Sequence, residues 1–529
     1  MNFVAIIGKN ILESLTTGMY SDSKIIYREY IQNACDQIDI AVKENIVSKD
    51  EAEINIWLDP TERWISIEDN ATGVKADMFQ SQLGNIAASD KKVGVNKGFR
   101  GIGRLCGLAY CKALRFVTSY KGEKIQSIME IDALKMRRML DEDVKYTVDD
   151  ILNAIVTFKT EKEKEEAHYF KVLLKDINDS NTDLLSQDKV TEYLSFVAPV
   201  PYASRFTLRA NILEHARRIE YDLEEYKVKI NAHPIYKNYS YVLYEGSEVN
   251  KKPYDRIDKL AFKEIYDSDN HLLAWLWYGL SRFEKSIPPQ LNPMRGFRVR
   301  QHNIQIGDNN VVADLFKEAR GNGYFVGEIF VVSKNLIPNS QRNYFNENQT
   351  RIAFENGLKY FFYNELHNLY YTANKIKTSF EKEIKYNDAV QKYEDQKQKG
   401  FVDDNQEAKL KAAVEEAGAK KNEAKKFLDR IKETQEDTPL NDVKRFIFKT
   451  YQEKITEQQK KSKNSNSNNK QPSNDEKKNK QKQVYFTDSL SKLSKNDRKL
   501  VSKILGIVDK NVDEETAKKI QEEIKKEFS

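Results

Sequence analysis

Two hydrophobic periods alternate along the first 180 residues. In REYIQNACDQ (28–37), Glu29, Asn33 and Asp36 recur at i, i+4 and i+7, one face of a helix, with Ile31 and Ala34 elsewhere around the turn. EINIWLD (53–59) and WISIED (64–69) alternate with period two, which predicts two strands joined by a turn at Asp59-Pro60. Further strands are predicted at LRFVTSY (114–120), KIQSIMEI (124–131), AIVTFKT (154–160) and HYFKVLLKDI (168–177). EKEKEE (161–166) reads as a solvated hairpin turn, and LCGLAYC (105–111) as a helix behind a glycine-rich loop. Helices interleaved with strands predict an α/β layer fold.

A second α/β unit is expected over 191–375, with strands in GFRVRQHNIQIG (296–307) and YFVGEIFVVS (324–333) and a helix, VVADLFKEA (311–319), between them. From about residue 376 the pattern changes to long charged helices. Leu410, Val414, Ala417, Lys421, Ala424, Leu428 and Ile431 form a short heptad seam, open to an intramolecular hairpin or a dimeric coiled coil, with Gly400 and Asp403-Asp404 at the hairpin tip. Pro439 marks a boundary. The domains are therefore drawn at 1–190, 191–375, 376–455 (helical arm), 456–484 (linker) and 485–529 (small helical module).

Composition changes this picture little. The 529 residues exceed a single core. Eighty-six basic against 81 acidic side chains leave +5, too balanced to indicate nucleic acid. The basic excess is local to QQKKSKNSNSNNKQPSNDEKKNKQKQ (458–483), which lacks the apolar residues for a core and reads as a flexible linker. No apolar run is long enough for a membrane span, and MNFVAIIGKN is too short for a secretory signal. Cys35, Cys106 and Cys111 read as small buried hydrophobes in a reducing compartment, and the six histidines lack metal-ligand spacing, so a cytoplasmic protein is expected.

Candidate chemistry gathers in three segments: REYIQNACDQ, EDNATGV (68–74) and KGFRGIGRLCG (97–107). A carboxylate such as Glu29 suits the acceptance of a proton from water, and the neutral amide oxygen of Asn33 suits a hard cation beside phosphate. Asp69, ending a strand, offers a carboxylate acceptor, and Gly73 lets backbone approach a ligand closely. Gly98, Gly101 and Gly103 supply a loop whose amides can hold phosphate, with Lys91, Lys92, Lys97, Arg100 and Arg104 bringing positive charge.

In this order and spacing the segments resemble the N-box, G1 box and G2 box of the GHKL ATPases: gyrase, the ninety-kilodalton heat-shock chaperones, histidine kinases and MutL. Residues 11–41 are most similar to the HtpG type of chaperone, which also has a leading helix, a Tyr-Ser turn and then the acidic helix. The resemblance implies a Bergerat-type ATPase sandwich followed by an α/β transducer, and a site for ATP and Mg²⁺. Glu29 would activate water and Asn33 would meet Mg²⁺. Asp36, Asp69, Gly73, Gly98, Arg100, Gly101 and Gly103 would bind nucleotide. LIPNSQRNYFNEN (336–348) resembles the chaperone loop that returns an arginine, here Arg342, to the nucleotide; Lys334 is the rival, as in the gyrase and MutL branches.

Two positions depart from the family pattern. Ala71 stands where the first glycine of D-x-G-x-G is usual, and His168-Tyr169 stands where a Gly-Thr precedes a strand, with Thr118 and Thr157 as substitutes. The implied function is an ATP-hydrolysing machine that dimerises through its N-terminal domains, with the amphipathic segment 1–15 as the exchanged strap, and remodels a protein client. The helical arm and basic linker leave two alternatives: a MORC-like clamp on nucleic acid, or an ATP-gated adaptor in a bacterial or defence-type assembly.

Overall fold

In the computed structural model, which describes residues 7–16, 18, 22–85, 97, 103–431, 437–467 and 486–529, the strands of the first 180 residues join one sheet. Its members are β1 (Glu53–Asp59), β2 (Trp64–Asp69), β3 (Cys111–Ser119), β4 (Ile125–Asp132), β5 (Val156–Lys162), β6 (Tyr169–Ile177), β7 (Lys227–Ile230) and β8 (His233–Pro234). The order is β5-β4-β3-β6-β2-β1-β7-β8, antiparallel except for β1 with β7. Helix α1 (Asn10–Thr16) and the long α2 (Ile25–Lys43) precede the sheet; α3 (Ala76–Gly84), α4 (Ala133–Asp141) and α5 (Val148–Ile155) are inserted along it. Ile26, Ile31 and Ile38 of α2 are at most 3% exposed, and burying each contributes about 2 kcal/mol. They share one core with Ile54, Ile56, Ile67, Leu114 and Leu174 of the sheet.

EKEKEE is not a hairpin turn. β5 lies at the sheet edge beside β4, whereas β6 lies beyond β3, so the connection passes over two strands. It is laid on the β3–β4 turn by Gly122 N–H to Glu165 O (2.8 Å) and Glu163 N–H to Lys124 O (3.0 Å). LCGLAYC is also corrected. Gly103–Ala109 is a short 3-10 helix and Cys111 already belongs to β3. The close approach of Gly107 to Tyr30, whose hydroxyl accepts the Gly107 N–H at 3.1 Å, holds this turn to α2.

α6 (Gln187–Val197) and α7 (Arg209–Arg218) lead, through β7 and β8 and the small ribbon β9 (Val242–Glu245) and β10 (Lys252–Arg256), to a second sheet. It contains β11 (Lys259–Tyr266), β12 (Leu272–Leu280), β13 (Gly296–Gln301), β14 (Ile304–Ile306) and β15 (Val326–Val331), ordered β11-β12-β15-β13-β14. β12 is LLAWLWYGL; Trp275 and Trp277 are wholly buried, packed with Tyr202, Phe206 and Tyr239. β13 and β15 are parallel, as a strand–crossover–strand unit requires, but the crossover is not the predicted helix. After β14 it holds the 3-10 turns Ala313–Leu315 and Ala319–Tyr324 in place of that helix. Asn322 draws this segment onto β13, accepting from Phe297 N–H (2.9 Å) and donating to Asn309 O (2.8 Å), and Phe316 stacks on Phe362 at 4.2 Å. These contacts outweigh local helix propensity. α8 (Gln349–Phe361) follows and runs through a π-turn, Phe362–Leu366, into α9 (His367–Lys399).

The chain divides into two compact units, 1–368 and 369–529. The second is helical: most of α9, then α10 (Asp404–Arg430), α11 (Pro439–Ser467), α12 (Lys495–Asn511) and α13 (Glu514–Phe528). Gly400 has φ +88°, and Asp403 caps α10 by accepting the Gln406 N–H at 2.8 Å, so the tip lies where the sequence predicted it. Ala424 and Leu428 of the heptad seam are buried within this one chain. Lys421 stands 4.2 Å over the ring of Tyr386 on α9, the hairpin arrangement. Pro439 opens α11, where its missing N–H costs nothing.

Candidate functional site

α2 buries more polar surface than a core helix tolerates without a purpose. Arg28, Glu29, Gln32 and Asp36 are all less than 9% exposed, and Asn33, between them, is half-buried. Glu29 sits against Gly103: a methyl group there would come within 2.5 Å of Glu29 Oε2, so the position beside the carboxylate suits a residue without a side chain. The Glu29 Oε1 atom accepts from Arg28 Nη2 at 3.2 Å. Tyr30 O–H donates to Arg104 O (3.1 Å) and fixes the same turn from the other side.

A residue more than three hundred positions away completes this corner. Arg342 Nε lies 3.7 Å from Glu29 Oε1, and its Nη2 donates to the backbone carbonyl of Lys97. Its neighbour Gln341 accepts from Arg28 Nη2 at 3.1 Å. The loop is stiff. Pro338 and Phe345 form an antiparallel bridge, Asn339 N–H donates to Tyr344 O (2.9 Å), and Gly307 N–H donates to Arg342 O (2.9 Å). Arg342 itself has φ +54°, a backbone conformation that arginine adopts at a cost and that the surrounding bonds hold. Lys334 is exposed.

Away from this corner, Asp69 ends β2 and is 4% exposed. Burial pushes its carboxyl up to about 7, against the lowering effect of the Ala71 N–H that it accepts at 3.1 Å. Gly73 has φ +67°, and a Cβ there would lie 1.9 Å from Ser119 O, so β3 and the 68–74 turn meet backbone to backbone. Thr118 ties the two: its Oγ1 accepts from Val74 N–H (2.9 Å) and donates to Tyr169 O (2.7 Å). Thr157 is exposed on the edge strand β5, whereas Thr118 is the threonine bonded to the 68–74 turn. The two departures from the family pattern touch each other. His168 Nδ1 is 2.8 Å from Ala71 O, a side-chain tie between the turn and the start of β6.

The cations of the glycine-rich segment are a correction in part. Lys97 does not present its ammonium to a phosphate site: Nζ binds Asp39 Oδ2 (2.5 Å) and lies 2.9 Å from Glu224 Oε2. Its N–H donates to Asp36 Oδ1 at 2.8 Å, so Asp36 holds the main chain at Lys97. Arg104 is turned to the end of α3, donating to Gln82 O (2.8 Å) and Asn85 O. Gly98, Arg100, Gly101, Lys91 and Lys92 lie outside the described residues, as do the Tyr-Ser turn at 20–21 and residues 1–6. The sequence reading missed Arg28, Asp39 and Glu224; Arg28 was the legible one, a cation adjoining Glu29 on a helix whose polar positions are too many for one solvated face. The three cysteines are buried free thiols; burial raises Cys35 and Cys106, and pushes Cys111 up to about 12, which leaves them unreactive.

Residues 27–164 match the family of histidine kinase-, DNA gyrase B-, and HSP90-like ATPases. The chain thus carries an ATPase domain of GHKL type, which supports ATP binding and an ATPase function, and its fold is the mixed α/β one expected with it. No curated protein matches the chain. Among the described residues no helix is long and apolar enough to cross a membrane.

Proposed function

We propose that the protein binds Mg-ATP between α2, the 68–74 turn and the glycine-rich segment, hydrolyses it slowly to ADP and phosphate, and converts that cycle into movement of the second sheet. The observation that carries this reading is the 3.7 Å approach of Arg342 Nε to Glu29 Oε1. Glu29 takes the proton of the attacking water, which adds to the terminal phosphorus as the bond to the ADP oxygen breaks. Arg342, beside it, offers a planar fork of donors to the charge on the terminal phosphate. Asp69 accepts from the adenine amino group, while Gly73 keeps side chains out of the base's path. Asn33 would supply one protein oxygen to Mg²⁺ beside the phosphates. The ion's contribution is neutralisation of phosphate charge.

By this reading the N-terminal domains of two copies associate with ATP bound, and the object moved is a protein client, as in the chaperone branch. The basic tract at 458–483 favours a second reading, a clamp on nucleic acid. Steady-state hydrolysis with unfolded protein, DNA or RNA added separates them. Stimulation by the client supports remodelling, by nucleic acid the clamp, and by neither an ATP-gated adaptor. In the same assay Glu29→Ala should bind ATP yet turn it over at least about a hundredfold more slowly. Wild-type turnover by that variant would refute the assignment.

A further inference from the structure

Three remote segments meet at Lys97. Its side chain, 4% exposed, holds Asp39 of α2 and Glu224 of the segment before β7, and stands 5.4 Å over the ring of Tyr226. Tyr226 O–H also donates to Asp39 (2.6 Å). The main chain of Lys97 does two further things: its N–H donates to Asp36, and its carbonyl accepts from Arg342. A lysine at such a place reads first as a phosphate ligand. Two carboxylates around a buried ammonium argue against that, since they neutralise it in place.

Glu224 continues the chain of contacts into the second sheet. His302 Nδ1 is 3.1 Å from Glu224 Oε1, and Asn303 Nδ2 donates to Glu224 O at 2.6 Å. His302 and Asn303 both have positive φ (51° and 58°), the tight turn between β13 and β14. Asn303 is itself locked in a fully buried cluster: it accepts from Lys237 Nζ (2.7 Å) at its side chain and from Arg300 Nη1 (3.0 Å) at its carbonyl. Glu328 at the centre accepts from Arg300, Tyr202, Tyr239 and Trp277. A cluster so fully satisfied is rigid, and removal of one member leaves buried charge behind.

We propose that Lys97 is a positioning residue: it joins the nucleotide-site helix to the polar core of the second sheet and so holds Arg342 beside Glu29, setting the rate of ATP turnover rather than nucleotide affinity. The proposal rests on the reading of this site as an ATPase. Lys97→Met keeps the length of the side chain and strands Asp39 and Glu224, so the 97 segment moves and its carbonyl is lost to Arg342. Lys97→Arg keeps the charge.

The test is hydrogen exchange on the full chain, which requires no hydrolysis. In Lys97→Met the amides of 339–346 should exchange at least about tenfold faster than in wild type while β3 and β6 are unchanged, and Lys97→Arg should restore protection. Glu224→Gln, which breaks the other half of the link, should act in the same direction and carries the test should Lys97→Met not fold. Unaltered exchange at 339–346 in the folded variants overturns the proposal. Kinetics supply the second arm. Lys97→Met should lower kcat about tenfold or more with ATP binding within about threefold, and adding Lys97→Met to Arg342→Ala should cost little beyond Arg342→Ala alone, because Lys97 acts through Arg342. Multiplying losses would make Lys97 a stabilising ion pair only and overturn the coupling. A wild-type chain that does not hydrolyse ATP would refute the ATPase reading, leaving Lys97 to be judged by the exchange data.

Discussion

Asp69 carries the sharpest physical signature in the pocket. Its carboxyl keeps a proton up to about pH 7 in the folded chain and only to about pH 4 when unfolded. Between those values the folded state binds the additional proton, so this group's contribution to stability falls as pH rises from about 4 to about 7, by about 4 kcal/mol at most. Asp69→Asn should lack that slope and lose nucleotide binding, because an amide brings donors to face the adenine amino group. Urea unfolding of both proteins across pH 4–8 checks it; parallel curves would mean that Asp69 is solvated. At this scale the sequence was legible where a residue's chemistry is local. Glu29 and Asn33 share a helix face, Gly73 needs its positive φ, and Arg342 sits on a loop that reaches α2. Lys97 was not legible. Its partners Asp39 and Glu224 are both remote in sequence, and only the fold reveals that its charge is already matched.

Elements followed the hydrophobic period wherever packing agreed with it. β1, β2, β3, β4, β6 and α2 lie where alternation or helical spacing predicted them. Two expectations failed for one reason. EKEKEE and VVADLFKEA were assigned from local composition, whereas sheet order decides the first and the side chain of Asn322 the second. Strand order and side-chain capture are long-range facts that a local window does not contain. The 68–74 turn gives a prediction at this scale. Gly73→Ala brings a methyl group onto Ser119 O and forces a disfavoured φ, so it should destabilise the folded chain by at least about 2 kcal/mol and abolish ADP binding. A folded variant with unchanged melting temperature and ADP affinity would show that β3 and the turn are not in contact there.

For the whole molecule the issue is how nucleotide chemistry becomes motion. In the ATPase reading, Arg342 belongs to the second-sheet part of the chain and Glu29 to the first, so their approach ties hydrolysis to the relation between two sheets. Dimerisation would use the segment that includes α1, where Ile7 and Ile11 are exposed while Leu12 is buried. Light scattering with a non-hydrolysable ATP analogue should give a dimer that is lost on deleting residues 1–10; an unchanged mass would leave this segment as core packing. The most direct test of the account is the turnover of Arg342 variants beside Lys334→Ala. Arg342→Ala, and Arg342→Asn, which keeps a residue tolerant of positive φ, should each lower ATP turnover by about 10³-fold with ADP affinity little changed, while Lys334→Ala should do far less. Near wild-type turnover in both Arg342 variants, or a larger loss in Lys334→Ala, would contradict it.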